Sequence, residues 1–246
     1  MVVKGVTFDW WGTIAVVPSP QDDAAIRDVR ISRLVAALRD DGIVIDRSTL
    51  SKAYDRQAER LEDAWARHRE LSPEDQVDLL LRLAGIDRRD PAIVGLVSEA
   101  LGGAILVRPP NFFPHVRETL DALRARGFAI GLISNTGRSW GRYLTKLQQA
   151  VGIGPQFDVR VYSDELRTRK PDPRMFEAAL TGLRLMADEV VHIGDDVIAD
   201  IAVAKEVGMR AIWFNTGFWP GATTDRADAE IRDHEEVPRV LEAWAD

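Results

Sequence analysis

Hydrophobic residues along the 246-residue chain fall into two rhythms. Four short, nearly unbroken apolar runs cover residues 2–8, 128–134, 190–193 and 209–214, and a weaker fifth covers 159–162. Runs rich in β-branched residues and without polar alternation have no solvent face, so they predict strands buried on both sides, as in a parallel sheet. Helix punctuation separates the later runs. Pro114 opens and Gly127 closes one segment, while Asp172 and Pro173 supply a cap and a first-turn residue for another. From Pro114 onward strand and helix alternate, which predicts an α/β domain.

Between about residues 19 and 106 the rhythm changes. Ile26, Val29, Leu34, Ala37 and Leu38 recur every three to four positions, with Gly42 as a stop. Leu50, Tyr54, Leu61 and Trp65 mark a second helix. Ser72-Pro73-Glu74-Asp75 starts a third, which runs through Val77, Leu80, Leu81 and Ala84 to Gly85. An all-helical insert thus interrupts the α/β domain. Polar and proline-containing stretches at 16–23 and 107–110 predict the hinges, giving a core of residues 1–15 and 108–246 and a helical domain of residues 16–107. The most apolar long window, 92–107, is shorter than a bilayer span and contains Glu99, so no transmembrane helix is expected.

Composition narrows the chemistry. With 46% hydrophobic and 29% charged residues the chain reads as a globular protein. It has no cysteine, which excludes disulfides, thiolate metal sites and a cysteine nucleophile, and its four histidines lie far apart without metal-ligand spacing. The net charge of −7 comes from acids and bases dispersed along the chain, so no basic tract is available for nucleic acid or an anionic membrane. A charged leader with an apolar core is not readable at the start, and the expected compartment is the cytoplasm. Oligomeric state is not legible.

In open α/β sheets ligands bind beyond the carboxyl ends of the strands. Those positions here hold Asp9-Trp10-Trp11-Gly12-Thr13, then Ser134-Asn135-Thr136-Gly137, then a loop ending at Lys170, then Gly194-Asp195-Asp196 with Asp200 beyond. A carboxylate such as Asp9 is a poor nucleophile in water, but held in line it can capture a phosphoryl group, and water then hydrolyses the acyl phosphate. Ser134 offers a hydroxyl, and the amides of Asn135 and Thr136, near the start of a helix, suit anionic oxygens. Lys170 precedes a proline-restricted helix start that would aim its stem at the same rim. The adjacent acids Asp195 and Asp196 repel each other unless a cation such as Mg²⁺ joins them.

Through FDWWGTI, LISNTG, KPDPRMF and HIGDDVIAD, in that order, the chain resembles the haloacid dehalogenase superfamily of hydrolases over almost its whole length. The resemblance implies a three-layer Rossmann-like α/β core with a parallel sheet, and an all-helical cap inserted after the first motif. It implies Asp9 as the nucleophile of a covalent intermediate, with Thr13, Ser134 and Lys170 as its catalytic partners. Ser134, Asn135, Thr136 and Lys170 would hold phosphate. Mg²⁺ would be bound by Asp9, the backbone carbonyl of Trp11, and Asp195 or Asp196 or both, with Asp200 supporting Lys170 or the surroundings of the metal.

One position departs from the pattern. Phosphatases of the superfamily carry a second aspartate two residues after the nucleophile, where this chain has Trp11. An indole has one N–H donor and no proton to give near neutrality, and a missing general acid typically costs ~10²–10⁴ in rate. The expectation is an Mg²⁺-dependent phosphohydrolase acting on a small phosphorylated compound with a good leaving group. A metal-independent 2-haloacid dehalogenase and a phospho-ligand binding protein without turnover are the alternatives. Phosphonate cleavage would need a cap lysine, and Lys52, the only one in the insert, falls in a polar helical turn. Trp213, Phe214, Phe218 and Trp219 lie at or beyond the end of the last apolar run; core packing is the favoured expectation for them, ahead of shaping a neighbouring loop or forming a dimer contact.

Overall fold

The computed structural model describes residues 2–245. Six strands form its sheet: β1 (Gly5–Phe8), β2 (Ala129–Ser134), β3 (Val159–Tyr162), β4 (Val190–Gly194), β5 (Arg210–Phe214) and β6 (Ala229–Ile231). Their order is β3-β2-β1-β4-β5-β6 and every pairing is parallel. This is a Rossmann-like order, in which the chain leaves β1 in one direction and later returns to its other side. Phe8 pairs with Leu132 on β2 and with Ile193 on β4, so Asp9 emerges within one or two residues of the ends of β2 at Ser134 and β4 at Gly194. All four residues of β1 are buried, in keeping with its unbroken apolar run.

Helices flank the sheet. Among them, the helix Arg174–Leu183 packs on β2 and β3, and the helix Val116–Ala125 contacts β2 and the helix Val237–Ala243. Met175, Phe176 and Ala179 of the first of these join Ile133, Val161, Ile201 and Met209 in one apolar cluster. Strand β6 was not anticipated. It is a three-residue edge strand in which only Ile231 is buried, too short for a period of two to show. Residues 2–4 lie outside β1, although the apolar run begins there.

The described residues resolve into two compact units. One reaches from the amino-terminal strand to Val17 and takes Pro110–Asn135 and the chain from Gln148 onward; the other comprises Pro18–Pro109 and Thr136–Leu147. The helical unit contains α1 (Pro20–Asp40), α2 (Arg47–Trp65), α3 (Pro73–Leu83), α4 (Pro91–Gly102) and α5 (Ala104–Val107). Ser19, Ser72 and Asp90 cap three of these helices by accepting from the amides of Asp22, Asp75 and Ile93, and each is followed by proline. Ile31, Leu34, Leu38, Leu61, Val77 and Ile93 supply its buried apolar faces. No helix among the described residues is long and apolar enough to cross a membrane.

The segment Thr136–Leu147 corrects the expected division, which assigned it to the α/β core. Its polar groups are tied to the insert. Trp140 Nε1 donates to Gln76 Oε1 at 3.1 Å, Gln76 Nε2 to the Gly137 carbonyl at 3.3 Å and Arg138 Nε to Gln57 Oε1 at 3.3 Å. Buried polar groups need such partners, and these belong to α2 and α3.

Candidate active site

The chain leaves β1 through a tight loop in which the amides of Ile14 and Ala15 both donate to the Trp10 carbonyl. Gly12 adopts φ +82°, and a Cβ there would lie 2.4 Å from the Asp195 carboxylate, so both backbone and space require glycine. Asp9, just before the loop, is buried. Lys170 Nζ donates to Asp9 Oδ1 and to Asp200 Oδ1, each at 2.5 Å, with all three side chains nearly sealed from solvent.

Lys170, Asp200 and the neighbouring Asp195 are each held from behind. The Asn135 carboxamide donates to the Lys170 carbonyl at 3.2 Å and accepts from the Lys170 amide at 2.9 Å. Asp200 accepts from His192 Nε2 at 3.2 Å and, through Oδ2, from the Asp196 amide at 3.1 Å. The other nitrogen of His192 meets Thr7 Oγ1 at 2.9 Å. Burial keeps His192 below the usual histidine pKa, so the ring is neutral at pH 7 and donates one N–H to Asp200. Asp195 accepts from two indoles: Trp219 Nε1 reaches its Oδ2 at 2.9 Å and Trp213 Nε1 its backbone carbonyl at 3.0 Å.

Carboxylate oxygens of Asp9, Asp195 and Asp200 all lie within 4.8 Å of one another. Burial, with Asp200 adding to it against the pull of Lys170, pushes Asp9 up to about 7. Burial together with the charges of Asp9 and Asp200 pushes Asp195 up to about 8. Burial alone would lower Lys170, but Asp200 and Asp9 outweigh it and hold the ammonium above its usual range. Asp200 sits well below the carboxylate range, because Lys170 and His192 more than offset its burial. One ammonium facing three acids leaves excess negative charge. A hard divalent cation such as Mg²⁺ takes carboxylate, carbonyl, water and phosphate oxygens, and this buried all-oxygen donor set fits it.

Two hydroxyls complete the picture. Ser134 Oγ and Thr13 Oγ1 are buried and have no hydrogen-bond partner among the described residues. Such groups are costly unless something accepts from them, and an anionic oxygen would.

The nominated residues divide between different tasks. Asp9, Asp195 and Lys170 converge with Asp200, which bonds Lys170. Asp196, nominated beside Asp195, instead turns Oδ1 to the amides of Ile198 and Ala199 and caps the wide helical turn Val197–Ala202. The Asn135 side chain orients Lys170. Thr136 is buried and opens the segment that clusters with the helical unit. Trp11 is half-buried, edge-on to Trp10, with the neighbouring Gly12 amide bonded to the Ala15 carbonyl. Two residues escaped the sequence reading. His192 opens the HIGDDVIAD motif but has no metal-ligand spacing to single it out, whereas Trp219 could have been found by inspecting the end of β5 as closely as the other strand ends. Its indole bond to Asp195 corrects the expectation of plain core packing.

A family model described as haloacid dehalogenase-like hydrolase matches residues 3–208, well over half of the chain. The chain is 32% identical over 155 residues to a glyceraldehyde 3-phosphate phosphatase of Methanocaldococcus jannaschii, covering 61% of this chain and 63% of that protein. It therefore spans less than two thirds of that relative's length. A phosphoglycolate phosphatase of Salmonella typhimurium is 27% identical over 244 residues, covering 93% and 88% of the two chains. The crystal structure of a 2-haloacid dehalogenase from Pseudomonas syringae superposes with a TM-score of 0.70 at 25% identity, covering 99% of this chain and all of that one.

Proposed function

Because the chain belongs to the haloacid dehalogenase-like hydrolase family, we propose that it is an Mg²⁺-dependent phosphohydrolase with Asp9 as nucleophile. Its substrate is a small phosphorylated compound with a good leaving group. The observation that carries this reading is the cluster of Asp9, Asp195 and Asp200, two of them bonded by the Lys170 ammonium; Ser134 and Thr13, from the end of β2 and the loop after β1, add buried hydroxyls without a partner among the described residues. Buried acids that outnumber their ammonium suit a divalent cation, and buried hydroxyls with a free proton suit the oxygens of a phosphoryl group.

In this account Asp9 forms a bond to phosphorus as the bond from phosphorus to the leaving oxygen breaks, and the leaving group departs with that electron pair. Water then attacks the acyl phosphate, releasing inorganic phosphate and restoring the Asp9 carboxylate. Lys170 holds Asp9 in place and offsets charge, while Ser134 and Thr13 donate to phosphoryl oxygens. Asp9, Asp195 and the Trp11 carbonyl would hold the cation, which, when bound, offsets charge on the transferred group. Asp200 keeps Lys170 charged. The helical unit is proposed to be the cap of the family and the source of substrate selectivity.

Trp11 restricts the leaving group. With no carboxyl group two residues after Asp9, the expelled oxygen leaves unprotonated, so acetyl phosphate and aryl phosphates should be cleaved far faster than alkyl sugar phosphates. The same tryptophan, together with the likeness to the Pseudomonas syringae enzyme, favours as second reading a 2-haloacid dehalogenase. Steady-state hydrolysis of acetyl phosphate and a sugar phosphate, with and without Mg²⁺, separates the two when chloride release from 2-chloropropionate is followed in parallel. Phosphate release that requires Mg²⁺ supports the phosphohydrolase; metal-independent chloride release replaces it with the dehalogenase.

A further inference from the structure

The loop after β5 carries Phe218 and Trp219, 45% and 47% exposed, between Gly217 and Gly221, which adopt φ of +75° and +76°. Single exposed aromatics are ordinary on a protein surface. Trp219 differs because its indole N–H is used. It donates to Oδ2 of Asp195 at 2.9 Å, while Trp213, at the end of β5, donates to the carbonyl of the same residue at 3.0 Å. One indole thus holds the backbone of Asp195 and the other its side chain.

The carboxylate also abuts Gly12, where a Cβ would come within 2.4 Å of it. An aspartate side chain otherwise exchanges between staggered rotamers. With Gly12 against the carboxylate and the indole bonded to Oδ2, its orientation is set and Oδ1 remains for a cation. Resting on the reading of Asp195 as a cation ligand, we propose that Trp219 is a positioning residue that presents Asp195 to Mg²⁺ by donating its indole N–H to Oδ2. Partners of this kind, one bond removed from the metal, typically change metal affinity 10–100-fold when lost. Trp219 does this from a loop rather than from the sheet.

The test is calorimetric titration of the full-length protein with Mg²⁺, with indole emission recorded alongside, for wild type, Trp219→Phe and Phe218→Ala. Trp219→Phe keeps an aromatic ring and removes only the donor; Phe218→Ala disturbs the same loop, since its ring sits edge-on to Trp219 at 5.0 Å. Expected are about 10-fold weaker Mg²⁺ binding in Trp219→Phe, near wild-type binding in Phe218→Ala, and an Mg²⁺-induced emission change that is reduced in Trp219→Phe. Wild-type affinity in Trp219→Phe overturns the proposal, and so does an undiminished emission change in that variant. An equal loss in Phe218→Ala also overturns it, because the loop and not the donor would then be responsible. Absence of Mg²⁺ binding in wild type is a different result: it removes the cation reading itself.

Discussion

Trp11 and Lys170 are the two residues whose replacement separates the parts of the account. If the missing general acid limits the enzyme, Trp11→Asp should raise alkyl phosphate turnover about 10-fold or more over Trp11→Ala, a part of the ~10²–10⁴ that well-placed acid catalysis supplies. Asp9→Asn should abolish turnover in every background. Equal rates for the aspartate and alanine variants would show that the leaving group is protonated by another residue. Among the described residues Lys170 is the only ammonium bonded to Asp9 and Asp200, so Lys170→Met leaves both acids buried without it. Breaking a buried pair in this way should lower unfolding stability by about 3–5 kcal/mol, measurable by urea denaturation. Of these residues, Asp9, Ser134, Lys170 and Asp195 were legible from their positions after apolar runs. Asp195 and Asp196, identical and adjacent, were not separable: which one faces the cluster is decided by the wide turn that Asp196 caps.

At the level of elements, the loop from Asp9 to Ala15 is the part least tolerant of change. Gly12→Ala adds a Cβ both in the left-handed region and against the Asp195 carboxylate. It should cost about 1–3 kcal/mol of stability and weaken Mg²⁺ binding, measured by denaturation and calorimetry; wild-type values would remove the close approach from the argument. The first three helices of the insert were readable because caps and apolar spacing are local signals, as Ser72 and its acceptance from the Asp75 amide illustrate; α4 and α5 lie almost wholly in the apolar window 92–107, where no polar face marks a period. Thr136–Leu147 was misassigned because the pattern of a helix says nothing about which neighbour it packs against. Gln76, some sixty residues away in sequence, decides that through its bonds to Gly137 and Trp140. Strand β6 was missed for the opposite reason, since three residues of which only Ile231 is buried carry too little pattern.

For the molecule as a whole, the carboxylate cluster makes stability depend on pH and on cation together. Asp9 and Asp195 are raised from 3.8 to about 7 and about 8, so the folded state binds more protons than the unfolded one across that interval. Stability is then highest below it and falls as pH rises through it. The buried histidines His192 and His234, lowered from 6.5, act in the opposite sense only below that value, so the fall should be clearest between pH 6.5 and 8. Mg²⁺ should reduce it by replacing the protons; a melting temperature with the same pH slope with and without Mg²⁺ would contradict the cluster's role as a cation site. The central claim, that Asp9 accepts a phosphoryl group, is tested most directly by ¹⁹F NMR of the protein with beryllium fluoride, an analogue of an aspartyl phosphate. The account predicts bound-fluoride resonances that require Mg²⁺ and disappear in Asp9→Asn. Resonances that persist in Asp9→Asn, or a wild-type protein that binds Mg²⁺ and shows none, would contradict it.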